Sequence, residues 1–178
     1  MSFMDLLRRR ASIRHYAAEP VPADKLEKIL EAGLLTPSSR NLRPVRLIAV
    51  TDADAVHALA ECKTAGAGML REATCAIVVL GDSKLSDAWI EDTSLSLFSM
   101  QLMATELGVE NCWVQCRARQ AATESSDAFL HTLLDLPDNL SVEAVLALGM
   151  STGEEKKTKD VPSLHEGQVF LGKYGVRY

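Results

Sequence analysis

Apolar residues recur along the chain with two different periods. Leu26, Ile29, Leu30 and Leu34 keep helical spacing, which predicts a helix that stops near Pro37, with Asp24 and Glu27 as its capping arrangement. Phe3, Leu6 and Leu7 share one face of a shorter helix from Ser2 to Arg9, where Asp5 stands three residues after a Ser2 cap. Short continuous apolar runs predict strands instead: VRLIAV from Val45 to Val50, CAIVVLG from Cys75 to Gly81, NCWVQC from Asn111 to Cys116, and VEAVLALG from Val142 to Gly149. The helix expected from Asp92 to Leu107 is different, because Leu95, Leu97, Phe98, Met100, Leu102, Met103 and Leu107 point nearly all round its axis. Such a helix must be buried, and in a chain this small a second copy could cover part of it. A last helix is expected from Ser125 to Leu136, ending at Pro137. Helices and strands alternate without the regular rhythm of a nucleotide-binding βαβ sheet, so the pattern reads as a three-layer α+β domain around one mixed sheet.

Two stretches escape both periods. RASIRHY, from Arg10 to Tyr16, is extended in character, and Pro20 and Pro22 turn the chain after it. The tail from Ser151 to Tyr178 is polar and carries Lys156, Lys157 and Lys159 before an aromatic FLGKYGVRY; it would wrap a partner or fray.

Bulk properties exclude several classes. The 178 residues fit one domain, and 47% hydrophobic with 24% charged residues is a globular composition. A net charge of -5 argues against general nucleic-acid or membrane-surface binding, so any basic patch is local. No apolar run reaches the roughly 18 residues that span a bilayer, and MSFMDLLRRRAS is too charged for a signal-peptide core. A cytoplasmic protein is expected. Cys62, Cys75, Cys112 and Cys116 form no CxxC pair and fit no zinc spacing with His15, His57, His131 or His165, which leaves buried thiols as the expectation. AGAGML, at Ala65 to Leu70, lacks the third glycine of a dinucleotide fingerprint, and there is no GxSxG elbow. Trp89 and Trp113 read as core or interface anchors.

The chemistry is concentrated in two segments. Arg10, Ser12 and Arg14 alternate along an extended chain, so two guanidinium groups and a hydroxyl project from one face. Guanidinium forks match phosphate geometry, whereas a solvated basic edge that includes Arg8 and Arg9 is the plain alternative. The polar loop PSSRNLRPV, from Pro37 to Val45, adds two hydroxyls, an amide and two guanidinium groups before a strand. It is either a simple turn or a source of donors and acceptors for the edge of a heteroaromatic ring.

Together RASIRHYAAEPV (Arg10 to Val21), LEKILEAGLLTPSSRNLRPVRLIAV (Leu26 to Val50), EDTSLSLFSMQLMATELGVENCWVQCR (Glu91 to Arg117) and VLALGMSTGEEKK (Val145 to Lys157) resemble the nitroreductase family in sequence and order over most of the chain. The resemblance implies a three-layer α/β/α fold of the α+β class, with a mixed, mainly antiparallel central sheet, and a homodimer with FMN at the subunit interface. It implies Arg10 and Ser12 at the FMN phosphate and Arg14 at the flavin ring, as a stabiliser of the reduced state. It implies contacts from Ser38, Ser39 and Asn41 to the flavin bound mainly by the other subunit. Arg43 and Val45 depart from the Gln and Trp of the commonest form of that loop, which bears on substrate preference. Gln115 and Arg117 are secondary cofactor-binding candidates, and Lys157, with Lys156 and Lys159 beside it, lies where the family often places a basic phosphate ligand. The implied activity is a ping-pong reaction in which NADH or NADPH reduces FMN and a small-molecule acceptor, a nitroaromatic or quinone, reoxidises it. The flavin N5 carries the chemistry and no catalytic side chain is required. The alternative is a flavin-binding module for storage, sensing or flavin breakdown.

Overall fold

Every residue of strand β2 (Cys75–Asp82) except Asp82 is buried, as its unbroken apolar run requires. In the computed structural model, which describes residues 2–153 and 168–176, β2 pairs with β1 (Val45–Val50) on one side and with β4 (Leu140–Met150) on the other. Strand β3 (Val109–Gln115) pairs with the far side of β4, so the order is β1-β2-β4-β3 and these pairings are all antiparallel.

Alternation along β2 divides the core in two. Ala76, Val78 and Leu80, with Val145 and Ala147 of β4, face a layer built from α3 (Ala53–Ala58), two 3-10 turns (Leu59–Cys62 and Gly68–Arg71) and α5 (Ser126–Leu134). Cys75, Ile77 and Val79, with Leu146 and Leu148, face Ile29 of α2 (Ala23–Leu34) and Leu97, Met100 and Ala104 of α4 (Trp89–Glu106). The result is the expected α/β/α sandwich of the α+β class.

Local details both follow the sequence pattern and correct it. The Ser2 and Asp5 capping box opens α1 (Phe3–Arg9) as anticipated. The Asp24 cap does not form. Pro22 occupies the cap position, and Asp24 lies inside the first turn, where it favours the helix dipole and lies 3.9 Å from Lys28 Nζ. Helix α3 and the two 3-10 turns lie in a stretch too short and too weakly periodic to announce them. Helix α4 buries Leu97 and Met100 completely, but Leu95 and Phe98 remain 48% and 37% exposed. Its all-round apolar surface is therefore only partly covered by this chain.

Two irregularities shape the region around the site. The β2–β4 register passes from Val79 opposite Ala144 to Leu80 opposite Val142, which leaves Glu143 as the extra residue of a bulge. At the other end of β4, a Cβ on Gly149 would lie 2.6 Å from Tyr16 Cγ, so glycine lets the Tyr16 ring sit directly on the strand.

Gly149→Ala is therefore expected to cost about 1–3 kcal/mol through overpacking. Thermal denaturation should read this as a fall of roughly 2–12 °C in Tm. In a Tyr16→Ala background the same substitution should cost little, and an equal fall in both backgrounds would refute the contact.

Candidate functional site

The extended segment after α1 is fastened at three points. The Ile13 N–H donates to Asn111 O of β3 at 3.0 Å, the Ala17 N–H donates to Met150 O of β4 at 3.0 Å, and the buried Tyr16 hydroxyl donates to Ile13 O at 2.7 Å. Burial pushes the Tyr16 phenol up, so it stays a donor. Alternation then does what the sequence spacing predicts: Ile13 packs on the core, while Ser12 and Arg14 are exposed and Arg10 is half-buried. Arg10, Ser12 and Arg14 all act on one group, the Cys112 thiol of β3. Burial pushes the Cys112 thiol of β3 up, and it is opposed by the Arg14 charge, a hydrogen bond with Ser12 and the Arg10 charge. Arg14 also donates from Nη1 to Ser12 O at 3.3 Å.

The Pro37 to Val45 loop is folded tightly on itself. Ser38 Oγ accepts the Arg43 N–H at 2.9 Å, Asn41 Oδ1 accepts from Arg43 Nε at 3.1 Å, and the Ser39 N–H donates to Asp92 Oδ1 at 2.9 Å. Arg40, Asn41 and Arg43 hold positive φ of 50°, 56° and 51°. Non-glycine residues in this region cost of order 1–3 kcal/mol each and persist where the surroundings over-determine them. Here the bonds of Arg43 to Ser38 and Asn41 hold the loop together with Asp92, in the first turn of α4 and only 4% exposed, whose Oδ2 has no partner among the described residues. Sequence reasoning took Asp92 only as a helix start. Its one signal was a carboxylate opening an otherwise apolar helix. Ser38, Arg43 and Val45 also line a cavity of about 250 Å³ beside Arg46.

Gln115 and Arg117 form a third group. The carboxylate of Glu143, 2% exposed on the bulge, accepts from Arg117 Nε at 2.9 Å and from Gln115 Nε2 at 3.0 Å, and Trp113 Nε1 donates to Gln115 Oε1 at 2.8 Å. The Glu143 carbonyl also accepts the N–H groups of Cys116 and Arg117. The bulge thus organises both candidates, and nothing in the sequence marked Glu143. Lys156, Lys157 and Lys159 lie outside the described residues.

Within one chain these groups do not meet. The Arg10 to Arg14 segment lies beside β3 near Asn111, which is opposite Leu148 and, across β4, Cys75. The Pro37 to Val45 loop enters β1 opposite Gly81, at the other edge and the other end of the sheet. Three strand spacings separate the edges by about 14 Å, and the six residues from Cys75 to Gly81 add about 20 Å along the strands. The two segments therefore occupy diagonal corners.

Known proteins resemble this chain in the same places. The family model described as "Nitroreductase family" matches residues 7–66, which include both polar segments. A protein of Archaeoglobus fulgidus that carries the provisional name NADH dehydrogenase/NAD(P)H nitroreductase is 33% identical over 156 residues, 85% of this chain and 87% of the relative. The structure of an FMN-dependent nitroreductase from Clostridium difficile superposes with a TM-score of 0.91 at 37% identity, covering 97% of this chain and all of that one. A nitroreductase-type structure from Desulfovibrio desulfuricans, in complex with FMN, gives 0.71 at 26% identity over 89% of this chain and 91% of that one. With that identity sustained along both chains, and with the family model spanning both polar corners of the fold, the chain belongs to the nitroreductase family.

Proposed function

We propose that the chain is an FMN-dependent oxidoreductase that takes electrons from NADH or NADPH and passes them to a small acceptor such as a nitroaromatic or quinone. We propose further that it works as a homodimer, with each flavin between two subunits. The observation that carries this reading is the diagonal placement of the two polar segments. One ligand cannot touch both within one chain, whereas a twofold partner can bring its Pro37 to Val45 loop to the Arg10 to Arg14 segment.

The donor set fits the group. Arg10 and Ser12 offer a guanidinium fork and a hydroxyl to the phosphate, and Arg14, two residues on, places a cation for the electron-rich edge of the ring. The partner loop supplies Ser38, Ser39 and Asn41, with Asp92 holding Ser39 and Arg43 fixed against Asn41. Gln115 and Arg117 are secondary contacts, oriented by Glu143. When bound, the flavin supplies two-electron chemistry, so the protein needs to position, charge and enclose it. Arg14 favours negative charge at the ring edge, and Tyr16 keeps Arg14 in place through Ile13.

Uncovered apolar surface supports pairing. Helix α1 buries none of its residues, Leu34 and Leu35 at the end of α2 are exposed, and a groove of about 510 Å³ runs between α2 and α4 past Leu35 and Met103. The described part of the tail adds Leu171, Tyr174 and Val176 to the exposed set. NAD(P)H dependence is supported by the names that relatives carry.

Purified protein should be yellow, with about one FMN per chain, and colourless protein that takes up no FMN would refute the reading. Arg10→Ala should lose about 10- to 100-fold in FMN affinity, as expected for a charge-assisted contact of about 1.5–3 kcal/mol, and saturating FMN should restore much of the rate. Arg14→Ala should lower the flavin midpoint potential and slow reduction by NAD(P)H at full FMN occupancy. FMN titration, potentiometry and stopped-flow reduction would separate the two variants, and identical behaviour would overturn the division of roles.

The shared site has its own test. Arg14→Ala chains and Asn41→Ala chains should each be impaired. After unfolding and refolding together, half the dimers carry one chain of each kind and one intact site, so about a quarter of wild-type activity should return. No recovery, in dimers that light scattering shows to have mixed, would place both segments at one site within a single chain.

A further inference from the structure

Cys62 and Cys116 are 54 residues apart in sequence, both are wholly buried, and their sulfurs lie 3.8 Å from each other. Cys62 ends the 3-10 turn Leu59–Cys62, and Cys116 follows directly on β3. The backbone holds both sides of the pair in place. The Thr64 N–H donates to Gln120 O at 3.1 Å, and the Cys116 N–H donates to the bulge carbonyl of Glu143 at 3.1 Å. A disulfide requires the sulfurs to close to about 2.05 Å, a step within reach of side-chain rotation when the backbone already lies alongside.

We propose that Cys62 and Cys116 form a redox modification site, a dithiol that a small peroxide converts into an intramolecular disulfide. The inference does not depend on flavin binding. The two thiols are not equivalent. The hydrogen bond across the pair, with Lys63 adjacent, holds Cys62 below the ordinary thiol range, and the same bond together with burial pushes Cys116 up. The attack is assigned to Cys62 because its neighbours Glu61 and Lys63 line a cavity, and the direction of its shift agrees. Its thiolate attacks the O–O bond of the peroxide, the distal oxygen leaves as an alcohol, or as water from hydrogen peroxide, and Cys62 becomes a sulfenic acid. Cys116 sulfur then attacks Cys62 sulfur and expels that oxygen as water. Two electrons pass from the sulfurs to the peroxide, and the two thiol protons leave in the alcohol and the water.

Selectivity is built into the fold, and a peroxide has to pass the residues that cover the wholly buried Cys62. A cavity of about 460 Å³, lined by Ala60, Glu61, Lys63 and Thr64, opens on the residues that flank Cys62. Cys75 faces the opposite core, where burial pushes its thiol up to about 12, so it stays protonated. Cys112 shares the face of Cys116 but lies beside Ser12. The bond would tie the 3-10 turn to the end of β3 that carries Gln115 and Arg117.

The test is peptide mapping of the full-length protein after treatment with one equivalent of tert-butyl hydroperoxide, alkylation and non-reducing tryptic digestion. Cys62 should be found joined to the peptide that holds Cys112 and Cys116, and dithiothreitol should release it. The link should form equally in Cys112→Ser, where Cys116 is the one cysteine left on that peptide, and should be lost in Cys116→Ser. Closing a loop of this length should raise Tm by roughly 5–15 °C over the reduced protein. Thiols that stay reduced, sulfinic acids without a link, or a link lost in Cys112→Ser would each overturn the proposal. The wild-type and Cys112→Ser maps decide the matter even if Cys116→Ser does not fold.

Discussion

Eight residues of β2 pair with β4, and both strands are apolar on their two faces, so the sheet has to be covered from both sides. That constraint leaves β1 and β3 as the edges, each carrying the polar chain that no covered position could accept. The RASIR segment lies against β3 and the PSSRN loop leads into β1 because these are the places where donors can face outward. The same arrangement separates them by two strands and nearly the whole strand length. The proposed homodimer would bring the two corners together, the loop of one copy to the RASIR segment of the other.

Two buried carboxylates act as the anchors of this arrangement. Asp92 accepts from the Ser39 backbone and fixes a loop with three left-handed residues, while Glu143 gathers Gln115, Arg117 and two backbone donors at the end of β3. Burying a carboxylate is unfavourable unless charge or hydrogen bonds compensate. Glu143 is compensated by the Arg117 guanidinium. Asp92 accepts the Ser39 N–H at Oδ1, and its Oδ2 has no partner among the described residues.

The sequence made the regular parts of this structure legible. The four apolar runs became the four strands, and the helical spacing of Leu26, Ile29 and Leu30 identified α2, because periodicity records which face is buried. The stretch from Arg10 to Arg14 is non-helical, as its sequence suggested, with Ser12 and Arg14 exposed and Ile13 packed on the core. Features that depend on tertiary packing were not legible. Pro22 displaced the expected Asp24 cap, Glu143 became a bulge only because β4 must keep register with β2, and Asp92 gained its role from a loop 53 residues away. Cys62 and Cys116 give no spacing signal at all, because their meeting is made by the folding of the 3-10 turn against β3.

The net charge of -5 might be thought to oppose an anionic ligand, but its reach is limited. At physiological ionic strength charges are screened within about 8 Å, so the groups that matter are those at the site. In the loop, Arg40 is matched by Asp87 at 2.5 Å, while Arg43 keeps its charge and donates to the neutral Asn41 amide. The loop therefore contributes a fixed shape and hydrogen-bonding groups, with the Arg43 guanidinium beside them. Arg10 and Arg14 act on Cys112 together with Ser12 and Lys63, and Arg14 also shares the surroundings of Tyr16 with Glu110 and Glu72. In the proposed dimer, Arg10 and Arg14 of one copy would meet the loop of the other, so that charge and hydrogen-bonding groups at one site come from different chains.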